Sequence, residues 1–231
     1  MSGYMDLVIR RSNHEPVAKI IGYKEFFGLK FKTTKDTLDP RADSETLIEA
    51  VLQEFPDKQS KVSILDLGTG TGCLLLTLLD QYPNATGYGV DISVQALEIA
   101  RENADSLKLA SRCDFIESDF ANFESVAKEG FDIIISNPPY IAIDDDRVNQ
   151  DAFKHDPRLA LFAGEDGLAA YRVISPSIKK HIKPTGKFFL EIGMGQEHDI
   201  SRIFKRENLV ISESYRDIQG ITRCLSGFSK S

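Results

Sequence analysis

The chain has 231 residues, 42% of them apolar and 27% charged, which is enough to bury a core and ordinary for a folded domain. Its 28 basic side chains stand against 35 acidic ones, a net charge of -7, and this argues against bulk binding of phosphate-rich nucleic acid. No run approaches the ~18 apolar residues of a membrane span, the start lacks the apolar stretch of a secretory signal, and Cys73, Cys113 and Cys224 form no C-x-x-C pair; this excludes a membrane span and a disulfide framework, and predicts a cytoplasmic protein without a metal site.

In chain order, residues 1–18 are polar and read as a short helix or arm. Residues 25–31 and 32–38 are aromatic or β-branched runs and predict a small hairpin. Pro40 then breaks the chain. Asp43 or Ser44 is placed to cap a helix with Leu47, Ile48, Val51, Leu52 and Phe55 on one face, and Pro56 ends it.

From Lys61 onward strands and helices alternate. Residues 62–67 predict a strand, 68–72 a glycine turn and 73–80 a leucine-rich helix. Residues 86–90 predict a second strand closed by Asp91, and Ser93 caps a helix with Ala96, Leu97, Ala100, Ala104 and Leu107 along its buried stripe. A third strand is predicted at 114–117 and a fourth at 131–136, the latter apolar enough to be covered on both faces. A helix over 168–182 leads to a fifth strand at 187–192. The stretches 209–215 and 221–228 alternate around Gln219-Gly220 and predict an antiparallel hairpin on the sheet edge. The expected architecture is α/β: a doubly wound, mostly parallel sheet with a C-terminal antiparallel hairpin and a small N-terminal β-hairpin extension.

Asp66-Leu67-Gly68-Thr69-Gly70-Thr71-Gly72 sits where a strand hands over to a helix. Glycines there allow positive φ and close approach of a ligand, and the helix start offers free N–H groups. Cys73 stands where a dinucleotide fingerprint needs its third glycine, and the G-x-G-x-G form led by an acid resembles the first motif of class I S-adenosylmethionine-dependent methyltransferases. Asp91, about 20 residues on, is placed to accept ribose hydroxyls. Asp119-Phe120 after the third strand offers an acceptor for an adenine amino group and a ring to stack on the base.

Asn137-Pro138-Pro139-Tyr140 follows the fourth strand directly. Two prolines hold the chain extended with carbonyls outward, Asn137 adds a side-chain carbonyl, and Tyr140 offers a flat face. Together they are suited to grip one –NH2 group by both hydrogens. An amide or aryl amine nitrogen is a poor nucleophile because its lone pair is delocalised; acceptors on both N–H groups localise that pair and stabilise the charge that grows as a methyl group transfers. No strong general base is needed.

With this motif the chain resembles the release-factor glutamine methyltransferase family from about Glu15 to Arg223. The likeness includes Glu15-Pro16, Ile21-Gly22, Glu25-Phe26, Gly28-Leu29, Pro40-Arg41 and Asp43-Ser44-Glu45 before the glycine turn. After the tetrapeptide it takes in Asp156-Pro157, Asp166-Gly167-Leu168, Glu191-Ile192-Gly193, Gln196, Asp217, Gly220 and Arg223. The resemblance implies methylation of the glutamine side-chain amide (N5) in the Gly-Gly-Gln loop of peptide-chain release factors, with S-adenosylmethionine as donor and S-adenosylhomocysteine as product. By the same resemblance Asp66, Gly68, Thr69, Gly70, Thr71 and Gly72 hold the donor's amino-acid part, Asp91 its ribose, and Asp119 with Phe120 its adenine. Asn137 and the Pro138 carbonyl hold the substrate amide, Pro139 lies against it, Tyr140 packs on it, and Asn137 also faces the cofactor. A methyltransferase acting on adenine N6 of DNA or RNA poses the same lone-pair problem; the acidic balance and the Asp144-Asp145-Asp146 run speak against it. A third reading, a cofactor-binding module without activity, conflicts with the intact tetrapeptide.

The family carries a helical domain ahead of the Glu15-Pro16 region, and only a short stub precedes it here. Residues 1–40 are therefore expected as an arm and hairpin, and 41–231 as the methyltransferase domain. Asp39 and Ala42 depart from the family pattern in the connecting segment.

Overall fold

Ile133, Ile134 and Ile135 are consecutive and all fully buried, which requires a strand covered on both faces. In the computed structural model, which describes residues 2–124, 127, 129–145 and 154–230, they belong to strand β6 (Phe131–Ser136). Ile133 and Ile135 pack with Ile64, Leu75 and Leu79 on one side of the sheet, and Ile134 with Leu65, Ile174 and Phe204 on the other.

The N-terminal part comprises α1 (Ser2–Ser12), α2 (Val17–Ile21) and a hairpin of β1 (Tyr23–Phe26) and β2 (Leu29–Lys32), followed by α3 (Glu45–Glu54). Then come β3 (Ser63–Leu67), α4 (Cys73–Gln81), β4 (Thr86–Asp91), α5 (Val94–Ser106), β5 (Cys113–Glu117) and β6. The chain ends with α6 (Ala169–His181), β7 (Ile182–Glu191), α7 (Glu197–Arg206), β8 (Leu209–Arg216) and β9 (Thr222–Ser229).

Among the described residues, seven strands form one sheet in the order β5-β4-β3-β6-β7-β9-β8. All neighbours are parallel except β7 with β9 and β8 with β9. From β3 the chain winds outward through β4 to β5, then returns to lay β6 on the other side of β3. The crevice beyond the C-terminal ends of β3 and β6 is thus the switch point of the sheet, where open α/β sheets take their ligands.

The doubly wound sheet and its C-terminal hairpin are as expected, with several corrections of detail. The N-terminal hairpin turns at Phe27-Gly28, both at positive φ (48° and 77°), so residues 25–31 contain the turn itself and 33–38 are not strand. Strand β7 begins at Ile182, five residues before the expected start, because it accommodates Pro184 and Gly186 beside a register shift against β6. Helix α7 has no counterpart among the expected elements. Ser93 does cap α5, accepting the Ala96 N–H at 3.2 Å, whereas Ser44 makes no capping bond to α3.

The N-terminal hairpin is tied to the site. Phe26 and Phe31 are buried in the cluster that holds α3 and α4. Asn103 on α5 accepts the Lys32 N–H at 2.7 Å and donates to Thr71 O at 2.9 Å, joining the hairpin to the glycine turn. Lys19 on α2 is buried against Asp156 at 2.5 Å, and Arg41 meets the other carboxylate oxygen at 2.6 Å. Asp39 is also buried there, and burial raises its pKa. Breaking such a buried pair from one side leaves a stranded charge, so this cluster anchors the segment carrying Pro157, Leu159 and Ala160. Among the described residues no helix is long and apolar enough to cross a membrane.

Candidate active site

The turn between β3 and α4 is shaped by Gly68 and Gly70, at φ +80° and +55°. A carboxylate holds it from each side. Asp66, fully buried, accepts the Thr69 hydroxyl at 2.7 Å through one oxygen, while its Oδ1 has no partner in hydrogen-bonding geometry. Burial pushes Asp66 up to about 7, opposed by the Thr69 hydrogen bond and assisted by the charge of Asp91. Asp91 at the end of β4 accepts the Gly70 N–H and the Ser93 N–H, each at 2.9 Å. Its pKa is raised by burial, against the pull of those N–H groups.

A cleft of about 280 Å³ opens beside this turn, lined by Gly68, Gly70, Asp91, Asp119, Phe120 and Asn137 among others. Ile92 and Leu159 add apolar wall. Asp119 accepts both the backbone and side-chain N–H of Asn122, at 2.7 and 2.8 Å, and those bonds hold its carboxyl below the usual range.

A second cavity, of about 310 Å³, adjoins the first. Tyr140, Glu191, Gly193, Gln196 and Arg223 line it, and Asn137, Leu38 and Ala160 are shared by both cavities. Asn137 donates through Nδ2 to the Ser44 hydroxyl at 3.0 Å, and Ser44 donates to Glu191 at 2.5 Å. The Tyr140 hydroxyl donates to the other Glu191 oxygen at 3.1 Å. Gln196 accepts the Gly193 N–H at 2.9 Å and donates to Tyr140 O at 3.0 Å, fixing the backbone after the tetrapeptide. Arg223 pairs with Asp217 at 3.0 Å and Asp43 at 3.1 Å.

The fold therefore brings Gly68, Gly70, Asp91, Asp119, Phe120, Asn137 and Pro139 to one cleft, and Asn137 and Tyr140 to the neighbouring one. Asp66, Thr69, Thr71 and Gly72 lie buried behind the turn and do not line the cleft; Pro138 is buried and lines neither cavity. Of the acidic run after the tetrapeptide, Asp146 lies outside the described residues. No cluster with metal-ligand composition occurs among the described residues.

Residues 58–213 match the family described as a methyltransferase domain. A release factor glutamine methyltransferase of Caulobacter vibrioides is 38% identical over 96% of this chain and 76% of its own length. One of Agrobacterium fabrum is 40% identical over 95% of this chain and 76% of its own. The chain belongs to the release factor glutamine methyltransferase family. A bifunctional methyltransferase of Rickettsia felis is 38% identical over 97% of this chain, which spans about half (47%) of that relative. Among solved structures, a methyltransferase from Pyrococcus furiosus superposes with a TM-score of 0.62 at 16% identity, covering the whole of both chains; that likeness speaks for the class I methyltransferase fold.

In the sequence, Glu191, Gln196 and Arg223 are positions in shared blocks without a role of their own, and Ser44 reads only as a candidate helix cap. The geometry puts all four around the tetrapeptide. Their separation in sequence (Ser44 and Glu191 are 147 residues apart) hides this, and the only signal was that polar residues recur in blocks outside the catalytic motif.

Proposed function

We propose that the chain transfers a methyl group from S-adenosylmethionine to the N5 amide nitrogen of the glutamine in the Gly-Gly-Gln loop of peptide-chain release factors. The observation that carries this reading is Asn137, a side chain common to the cofactor-sized cleft and the adjoining cavity. Its Nδ2 is engaged by Ser44, which leaves the carbonyl oxygen as the free acceptor. The cleft fits the cofactor: Asp91, which spends one lone pair of each oxygen on the Gly70 and Ser93 N–H groups, retains others for ribose hydroxyls, and Phe120, Ile92 and Leu159 suit a flat base. When bound there, S-adenosylmethionine supplies a methyl group on a positively charged sulfur.

The protein's own part is to bind and orient. Asn137 Oδ1 accepts one hydrogen of the substrate amide; Pro138, expected to take the other through its carbonyl, is not among the residues that line either cavity. The grip of Asn137 turns the nitrogen lone pair out of conjugation, toward the cleft, and the same acceptor stabilises the charge that grows on nitrogen. Tyr140 packs on the amide plane with its hydroxyl turned inward to Glu191. The extra proton on the methylated nitrogen is acidic and leaves to water, so no protein base is required.

Residues 1–40 are read as an arm and hairpin appended to a methyltransferase domain of 41–231. Because release factors work in the cytoplasm, the reading implies a cytoplasmic enzyme. Incubation with methyl-labelled S-adenosylmethionine and either release factor, DNA or RNA tests it: label on the Gly-Gly-Gln glutamine is expected, and label on nucleic acid alone would overturn it. For the cofactor site, Asp91→Ala is expected to weaken S-adenosylhomocysteine binding by about 1–3 kcal/mol, the scale of charge-assisted hydrogen bonds. Calorimetry showing unchanged affinity would remove Asp91 from the site.

A further inference from the structure

An asparagine amide has nearly the same shape when its oxygen and nitrogen are exchanged, yet one orientation presents an acceptor and the other a donor. The reaction proposed above needs the acceptor. Something must therefore decide which way the Asn137 amide faces, and the packing of the side chain alone does not.

Glu191 at the end of β7 is 1% exposed. Its two oxygens are both engaged by hydroxyls, one from Ser44 at 2.5 Å and the other from Tyr140 at 3.1 Å. Its backbone carbonyl accepts the Tyr171 hydroxyl at 2.8 Å, which holds the strand end in place. An ionised carboxylate has no proton to give, so the single proton of Ser44 is committed to Glu191. Ser44 then has only lone pairs to offer on its other side, 3.0 Å from Asn137. Asn137 must meet them with its –NH2 group, and its carbonyl oxygen is left facing the cavity.

We propose that Ser44 and Glu191 are positioning residues that fix the donor–acceptor sense of Asn137, with the negative charge of Glu191 as the source of the polarity. The relay rests on the functional reading above and acts through Asn137. It also accounts for Ser44 standing at the start of α3 without capping it: its hydroxyl is used elsewhere.

The relay works only while Glu191 is charged. A protonated Glu191 can itself donate to Ser44, which frees Ser44 to donate to Asn137 and lets the amide turn its –NH2 toward the substrate. Burial pushes Glu191 up to about 7; the hydrogen bonds from Ser44 and Tyr140 and the charge of Arg223 pull the other way, and Asp43 adds to the rise. The other titratable groups around it are Tyr171, Cys224 and Cys73, all kept neutral by burial. Since the charged form is the working form, turnover rises with pH through the neutral range and is lost on acidification.

The test is steady-state kinetics with release factor and S-adenosylmethionine for wild type, Ser44→Ala, Ser44→Thr and Glu191→Gln, with S-adenosylhomocysteine affinity as the check on folding. Ser44→Ala is expected to lower kcat about 10–100-fold, the range for removing a group that orients a functional residue. Cofactor affinity should stay unchanged, and Ser44→Thr, which keeps the hydroxyl, should recover most of the rate. Glu191→Gln should lower kcat similarly and flatten its rise with pH. A wild-type kcat in Ser44→Ala, a Ser44→Thr variant that binds cofactor yet is as slow as Ser44→Ala, or an unaltered pH profile in Glu191→Gln would each overturn the relay alone. Failure of the wild type to methylate release factor would overturn the functional reading, and the relay with it.

Discussion

Replacing Asn137 by alanine is expected to slow methyl transfer about 10²–10³-fold, the usual effect of removing one preorganised transition-state partner, while S-adenosylhomocysteine affinity stays largely intact. The two effects separate because Asn137 only borders the cofactor-sized cleft, whereas its carbonyl oxygen is the acceptor available to a substrate amide. The interaction strengthens as charge develops on nitrogen, so the loss should appear in kcat more than in KM. Asn137→Asp is the sharper variant. It keeps an acceptor toward the cavity, but places a second acceptor on Ser44, whose one proton already goes to Glu191. It should therefore fall between wild type and Asn137→Ala. Single-turnover measurements with release factor decide the matter, and a wild-type rate in Asn137→Ala would remove Asn137 from the reaction.

The parts of this site that were legible in the sequence are those written as punctuation. Gly68 and Gly70 mark a turn that only positive φ can make, Asp91 closes a strand, and two prolines stop another at Asn137. Each falls at a strand end, so a parallel sheet brings them together without further information. The leucine-rich α4 and the isoleucines of β6 gave the two covered faces for the same reason, through periodicity. What was not legible depends on partners distant in the chain. Ser44 reads as a helix cap, and nothing local shows that its hydroxyl instead meets a carboxylate on β7. Thr69 and Thr71 sit among glycines that line the cleft and read as ligand contacts, yet both bury their side chains; Thr69 is held by Asp66. Helix α7 buries only Ile200 and Phe204 in an otherwise charged stretch, too narrow a stripe to stand out. The early start of β7 is masked by Lys183, Pro184 and Gly186, residues that signal a loop unless the neighbouring strand is known to shift register there.

Asp66 and Glu191 carry the second large effect, on stability rather than rate. Burial raises both carboxyls to about 7, well above their ordinary values of 3.8 and 4.5. Between roughly pH 4 and 7 the native chain thus holds more protons at these positions than the unfolded chain, and stability falls as pH rises through that window. At 1.4 kcal/mol per tenfold, the cost at pH 8 reaches up to about 4 kcal/mol for Asp66 and about 3 kcal/mol for Glu191. Asp39 and Asp91, also raised by burial, act in the same direction. Opposing them, His181 is lowered by burial and loses stability as pH falls below 6.5, and the depressed Glu54 and Asp132 lose theirs at more acidic pH still. The balance predicts greatest stability on the mildly acidic side of neutral. Asp66→Asn keeps an acceptor for Thr69 and removes the ionisation, so its urea midpoint should exceed that of wild type at pH 8 and approach it near pH 4, at an unchanged denaturant slope. Glu191→Gln should do the same at the amide cavity while losing turnover, the trade expected where charge is kept buried for function. Parallel midpoint-against-pH curves for wild type and Asp66→Asn would show that Asp66 is already ionised in the native chain well below neutral pH, and that another group supplies the slope.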